Sequence, residues 1–206
     1  NLTVIDDTVK MIRKSDSDFS VERIPLNDAD TFRMFEKGDT EGVFQFESKG
    51  LRKVLTQLKP TGIEDLIAVT SLYRPGPMDS IQKYIAGRND PDSITYSTES
   101  LEPILNVTNG CIVYQEQVMR IFRDLAGYSL GRADIVRRAM AKKKRDVMQH
   151  ERVSFIYGDD ECDGCVKRGI DEKTAGAIFD EMSSFASYAF NKSHAAAYAH
   201  VAFYTA

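Results

Sequence analysis

The chain reads as mainly α with a few short β segments, and three observations carry that reading. Apolar residues recur at three- and four-residue spacing through most of the length. Helix-starting and helix-stopping residues bracket those stretches. Strand-like patterns are confined to two short runs, Gly42–Phe46 and Gly110–Tyr114.

Taken in order, Leu2, Ile5, Val9 and Ile12 mark one face of a first helix, which ends in the polar stretch Ser15–Asp18. A second helix is expected from Asp28 to Lys37, with Phe32 and Phe35 inward and Gly38 at its C-terminal cap. Leu51, Val54, Leu55 and Leu58 mark a third, closed by Pro60. Thr61 to Leu72 reads as a helix burying Ile63, Leu66, Ile67 and Val69, and Arg74-Pro75-Gly76-Pro77 stops it in a stiff loop. Met78 to Ile85 is apolar-periodic again, and Arg88 to Ser100 is a polar connection. A helix from Gln115 to Ala126 follows the second β-leaning run, and Gly127 and Gly131 bracket a turn. One long helix is then expected from about Ala133 to Tyr157, with Val136, Met140 and Val147 packing inward. Gly158 to Gly169 is a charged loop, Asp171 to Phe185 is helical, and a last helix starts near Ser193.

Composition bounds the function. At 42% hydrophobic and 28% charged, the 206 residues suit a soluble globular protein. No apolar run reaches the 18 residues of a membrane span, and Asn1–Asp7 is not a signal peptide, so a cytoplasmic location is expected. The absence of an initiator Met and the unfinished apolar pattern at Phe203–Ala206 suggest a piece of a longer protein. Cys111, Cys162 and Cys165 form no disulfide framework. Cys162-Asp163-Gly164-Cys165 is half a zinc site at most, and reads as an exposed loop with two thiols. No metal is expected.

The net charge of −4 hides a local reversal. Arg132, Arg137, Arg138, Lys142, Lys143, Lys144, Arg145 and Arg152 fall in one window, opposed only by Asp134, Asp146 and Glu151. On a continuous helix Arg138, Lys142 and Arg145 make one basic stripe, with Arg137 and Lys144 in a second. Such stripes suit phosphate, which Arg grips as a fork and Lys as a point charge; a solvated helix face is the plain alternative. A second candidate is Phe190 to Tyr198. There Asn191 or Ser193 can cap a helix whose N-terminus, with Lys192 and His194, makes an anion cradle. Tyr198 lies one turn on, placed to stack on a base; a capped core helix explains the same residues. Tyr114-Gln115-Glu116-Gln117 is accounted for by local capping. No Ser/His/Asp order, HExxH, P-loop or glycine fingerprint occurs, and neither Asp6-Asp7 nor Asp159-Asp160-Glu161 has the strand context of a two-metal site. No catalytic residue is expected within the chain.

Seven segments in order resemble the alpha subunits of bacterial DNA polymerase III, the C-family DNA polymerases. They are Asn1–Ile5, Gly42–Ser48, Leu72–Pro77, Val113–Met119, Leu125–Ser129, Arg137–Met140 with its lysine run, and Phe190–Tyr198. The resemblance implies the fingers domain of such an enzyme, with residues 1–40 adjoining the palm, 41–206 the fingers proper and 158–169 an inserted surface loop. It implies that Arg137 and Arg138 contact the triphosphate of the incoming dNTP. It also implies that His194 and Lys192, on the helix carrying Tyr198, close one wall of the nucleotide pocket. Arg74, Lys142, Lys143 and Lys144 are implied contacts to nucleotide or DNA backbone. The three palm aspartates holding two Mg2+ fall outside the chain, the third only a few residues before Asn1, so the isolated chain is expected to be inactive. The implied partners are dNTP, primer-template DNA, the palm and thumb, and the replicase holoenzyme. A stand-alone helical DNA-binding module, and a CxxC metal or redox module, remain as rivals.

Overall fold

The structure, a computed structural model, describes residues 1–74, 76–186 and 188–206. Its described α-helices are α1 Leu2–Ile12, α2 Ala29–Lys37, α3 Lys49–Leu58, α4 Ile63–Leu72, α5 Ile81–Asn89, α6 Glu102–Leu105, α7 Gln115–Ala126, α8 Leu130–Ala141, α9 Arg145–Tyr157, α10 Glu172–Phe185 and α11 Lys192–Tyr204. Among the described residues two isolated bridges occur, Tyr114 with Phe190 at the end of the expected Gly110–Tyr114 segment, and Asp159 with Cys162 within the expected loop. Pro75 of the stiff loop lies outside the described residues. The chain forms two compact units, Asn1–Tyr73 with Ser193–Ala206, and Arg74–Lys192.

In the first unit α2 starts on Asp28, whose carboxylate accepts the Thr31 N–H, and ends at Gly38 in the left-handed conformation, φ 74°. Phe32 and Phe35 are buried as the periodicity requires. Phe32 meets Phe203 of α11 at 5.5 Å between ring centroids, and Phe35 meets Phe46 edge-on at 5.5 Å. Ala195, Ala199 and Ala202 present the buried small-residue side of α11. The expected strand at Gly42–Phe46 is instead a pair of turns, with Val43 N–H on Thr40 O and Phe46 N–H on Val43 O. Gly42 and Gln45 both take positive φ, and the three-residue step buries Val43 and Phe46 together, which alternation cannot do. The first helix forms, yet buries none of its residues. Its Ile5, Val9 and Ile12 line an open cleft of about 370 Å³ with Phe19, Ile24 and Tyr204.

The second unit packs around Phe122 of α7. Its ring meets Tyr128 at 5.1 Å, Phe155 of α9 at 5.2 Å and Phe179 of α10 at 6.1 Å. Helix α8 begins at Leu130, capped by Ser129, so Gly131 lies in its first turn rather than in the preceding loop. Most of the segment 158–169 is exposed, but its two thiols are not, contrary to expectation. Gly164 N–H bonds Ala126 O, and Cys165 and Val166 N–H bond Phe155 and Ile156 O; Cys165 is fully buried and Cys162 nearly so. Burial pushes the Cys165 thiol up to about 12, leaving it protonated.

The largest departure is the long basic helix. It is two helices, broken at Lys142-Lys143-Lys144. Lys143 N–H bonds Met140 O and Lys144 N–H bonds Ala139 O, with Lys143 at φ 52°. This is a Schellman termination with lysine where glycine is usual. The stripe drawn through Arg138, Lys142 and Arg145 therefore does not run on one helix. Val147, expected inside with Val136 and Met140, is 37% exposed while those two are buried. Left-handed backbone costs a side-chain-bearing residue about 1 kcal/mol, so Lys143→Gly should leave the fold intact and raise stability by about 0.5–1 kcal/mol. Urea denaturation checks this; an unchanged or lowered stability counts against strain at Lys143.

Candidate functional site

The basic window divides into engaged and available cations. Arg132 is engaged. Its guanidinium holds Asp159 as a fork, Nη1–Oδ1 2.8 Å and Nη2–Oδ2 2.6 Å, and Nη2 also donates to Glu151 Oε2 at 3.0 Å. It lies 4.4 Å over the Tyr128 ring, whose hydroxyl donates to the same Glu151 oxygen at 2.9 Å. The Arg132 bonds hold the Asp159 carboxyl far below the usual carboxylate range. The Tyr128 hydroxyl is pushed up by burial and by Glu151. Arg152 likewise pairs with Asp180 of α10 through Nε at 3.0 Å. These two cations brace α8, α9, α10 and the 158–169 segment.

Arg137 and Arg138, on the last turns of α8, share Asp134. Arg137 donates Nη2 at 2.6 Å and Nε at 3.1 Å to Oδ1, and Arg138 donates Nη2 to Oδ2 at 2.8 Å. The two arginines thus converge on one carboxylate three and four residues upstream. They differ sharply in access: the Arg137 side chain is 13% exposed and that of Arg138 is 68% exposed. The Arg137 bond, first, and the Arg138 bond hold the Asp134 carboxyl low, so it is ionised at neutral pH. Lys142, Lys143, Lys144 and Arg145 are exposed in the break between α8 and α9, and form no ion pair among the described residues. Lysines there also complement the negative C-terminal end of α8.

The expected anion cradle at the start of α11 already holds an anion from the chain. Glu116 accepts the Lys192 N–H with both carboxylate oxygens at 3.2 Å and the Asn191 Nδ2 at 2.9 Å. The Lys192 ammonium sits 5.3 Å from the Tyr114 ring centroid. On the same helix His194 lies 4.3 Å from the Tyr198 ring, which also meets Phe44 at 5.2 Å. Arg74 is exposed and packs its guanidinium 4.6 Å over the Phe190 ring.

Two features were missed from sequence. Gln117 is buried and uses its whole amide: Oε1 accepts from Val113 N at 2.8 Å and Tyr114 N at 2.9 Å, while Nε2 donates to Ile104 O at 3.1 Å and Thr108 Oγ1 at 2.7 Å. With Gln115 Nε2 on Ala189 O at 3.0 Å and Glu116 on α11, the Tyr114–Gln117 run is a tie between distant segments, not a local cap alone. The signal available was three polar side chains in succession before a strongly apolar helix face. The second was Asp134, visible as an acid three and four residues ahead of two arginines. Among the described residues, no group of three or more His, Cys, Asp or Glu is placed to hold a metal ion, and no helix is long and apolar enough to cross a membrane.

The Arg132 cluster has a pH signature. Because the folded Asp159 pKa lies below its ordinary 3.8, the unfolded chain takes up the proton first as pH falls. That contribution is complete above about pH 5 and is lost as pH drops through the folded value. Arg132→Met should lower stability at pH 7 and flatten its decline between pH 5 and 3. Denaturant midpoints across that range read both; an unaltered slope argues against the coupling.

Comparison with known proteins bears on all of this. Residues 1–162 match the family model described as the bacterial DNA polymerase III alpha subunit finger domain. The chain is 47% identical over 204 residues to a DNA polymerase III subunit alpha of Halalkalibacterium halodurans, covering 98% of this chain and 18% of the relative. It is 45% identical over 205 residues to that of Borreliella burgdorferi, covering 100% and 17%. With that of Bacillus subtilis it shares 44% over 199 residues, covering 96% and 17%. The chain therefore spans less than a fifth of the length of these relatives. On this match over nearly its full length, with the helical architecture described above, the chain belongs to the bacterial DNA polymerase III alpha subunit family, in the region of its finger domain.

Proposed function

We propose that this chain is the fingers part of a template-directed DNA polymerase, binding the triphosphate of the incoming dNTP and nearby DNA during replication. The observation that carries the reading is the convergence of Arg137 and Arg138 on the last turns of α8, with the Arg138 guanidinium largely exposed. In the reaction the primer 3′-hydroxyl oxygen attacks the α-phosphorus, the bond from that phosphorus to the bridging oxygen breaks, and pyrophosphate leaves. Negative charge grows on the departing β- and γ-phosphates. Fixed guanidinium groups neutralise it, which is positioning and electrostatic work. The resemblance assigns the Mg2+ ions of that reaction to palm carboxylates outside this chain. We read the chain's share as grip, not bond-making.

Lys192, His194 and Tyr198 are proposed as a nucleotide contact on α11, supported by the ring packing of His194 on Tyr198. Lys142, Lys143 and Lys144 are proposed to meet backbone phosphate, supported by their exposure. Arg74 is proposed as a further contact, its guanidinium plane steadied on Phe190. Residues 1–40 are proposed to adjoin the palm, which fits an α1 with no buried residue. The wider partners would be the thumb and the replicase holoenzyme, in the cytoplasm.

A charge-assisted hydrogen bond contributes roughly 1.5–3 kcal/mol. In the full-length polymerase, Arg138→Ala should therefore reduce kcat/KM for dNTP about 10- to 100-fold, with primer-template affinity little altered. Steady-state kinetics at varied dNTP check it. Wild-type nucleotide use would sink the reading and favour a helical DNA-binding module.

A further inference from the structure

Resting on the reading that Arg137 and Arg138 hold the triphosphate, we infer that Asp134 is a positioning residue for that grip. Its carboxylate fixes the two guanidinium groups side by side, and Arg138 keeps most of its donors for the phosphate.

The geometry separates the three roles. Asp134 Oδ1 takes two bonds from Arg137, at 2.6 and 3.1 Å, and this side chain is largely covered. Asp134 Oδ2 takes one bond from Arg138, at 2.8 Å, and that side chain is open to solvent. A guanidinium has five N–H donors, so a single bond anchors Arg138 without exhausting it. Two guanidinium groups on consecutive residues repel each other. The shared carboxylate offsets that repulsion and leaves the trio with one net positive charge. Arginine has many rotamers to lose, so a long side chain already held in place has less freedom to lose when phosphate arrives.

A carboxylate beside a phosphate site also repels the ligand. Asp134 meets Arg138 through one donor, while orientation acts on both arginines, so orientation outweighs repulsion. A merely structural acid on a helix face would make the small contribution of an exposed helical pair to stability and leave nucleotide use alone. The two roles therefore have different kinetic signatures.

The test uses the full-length polymerase with Asp134→Asn, Asp134→Glu, Arg138→Ala and the Asp134→Asn/Arg138→Ala double variant. Read-outs are KM and kcat for dNTP, primer-template Kd and thermal midpoint. Asp134→Asn should raise KM for dNTP about 5- to 20-fold with kcat within about twofold, and leave primer-template Kd unaltered. Asp134→Glu, which keeps the charge, should stay within about threefold of wild type. The double variant should lose less than the two single losses combined, because part of the Asp134 effect passes through Arg138 and only its share through Arg137 remains. An unchanged or lowered KM in Asp134→Asn overturns the inference, as do additive losses in the double variant. If Asp134→Asn lowers the thermal midpoint, its KM is read at a temperature where the variant stays folded, and the same outcomes decide the matter. Should Arg138→Ala itself leave KM unchanged, the triphosphate reading fails, and the role of Asp134 with it.

Discussion

The amide of Gln117 meets four partners from three stretches of chain: Val113 and Tyr114 at the entry to α7, Ile104 on α6, and Thr108 just after it. All of these groups are buried or nearly so, where an unmatched donor or acceptor costs about 1–3 kcal/mol. The network must be complete or be absent. Complete, it orients the first turn of α7 so that Gln115 and Glu116 point at Ala189, Asn191 and Lys192. Phe190 then pairs with Tyr114 through an isolated bridge, and Arg74 lies on the Phe190 ring. The placement of the candidate residues Arg74 and Lys192 thus traces back to one buried side-chain amide.

Much of the helical scaffold could be read from residue order, because its signals are local. Asp28, Ser48, Ser129 and Asp171 cap helices through their own side chains, and Gly38 and Gly127 end two of them in left-handed backbone. The break between α8 and α9 could not be read, since it occurs at three lysines with no glycine or proline. It exists because the buried faces of the two helices do not continue one another: Val136 and Met140 point inward, Phe155 and Ile156 point inward, and Val147 between them does not. Tertiary packing overrode local preference there. Gly42–Phe46 failed for a related reason, as over five residues Phe46 shares a face with Phe44 at a spacing of two and with Val43 at a spacing of three. The cysteine loop failed because charge at Asp159 to Asp163 advertised solvent while the thiols faced the core.

The candidate site was legible in outline. Its arginines stood out by charge against an acidic chain, but charge alone did not sort them. Arg132 and Arg152 spend their cations on Asp159 and Asp180, bracing helices, and only the geometry distinguishes them from Arg138. The start of α11 shows a second case in which geometry adds to the pattern. A helix N-terminus predicts an anion, and one is present, yet it is Glu116 of the same chain.

The bonds from Gln115 and Glu116 to residues 189–192 have a consequence for the order of assembly. They join positions 74 to 76 residues apart, and the entropy of closing such a loop must be met before the contact returns anything. The Phe122 cluster, built from α7, α9 and α10, lies inside that loop. It shortens the effective distance as it condenses, so the root of α11 is fastened after the bundle has formed. A ribosome delivers residue 192 after residues 116 to 185. The vectorial emergence of the chain therefore matches the sequence in which its contacts become affordable.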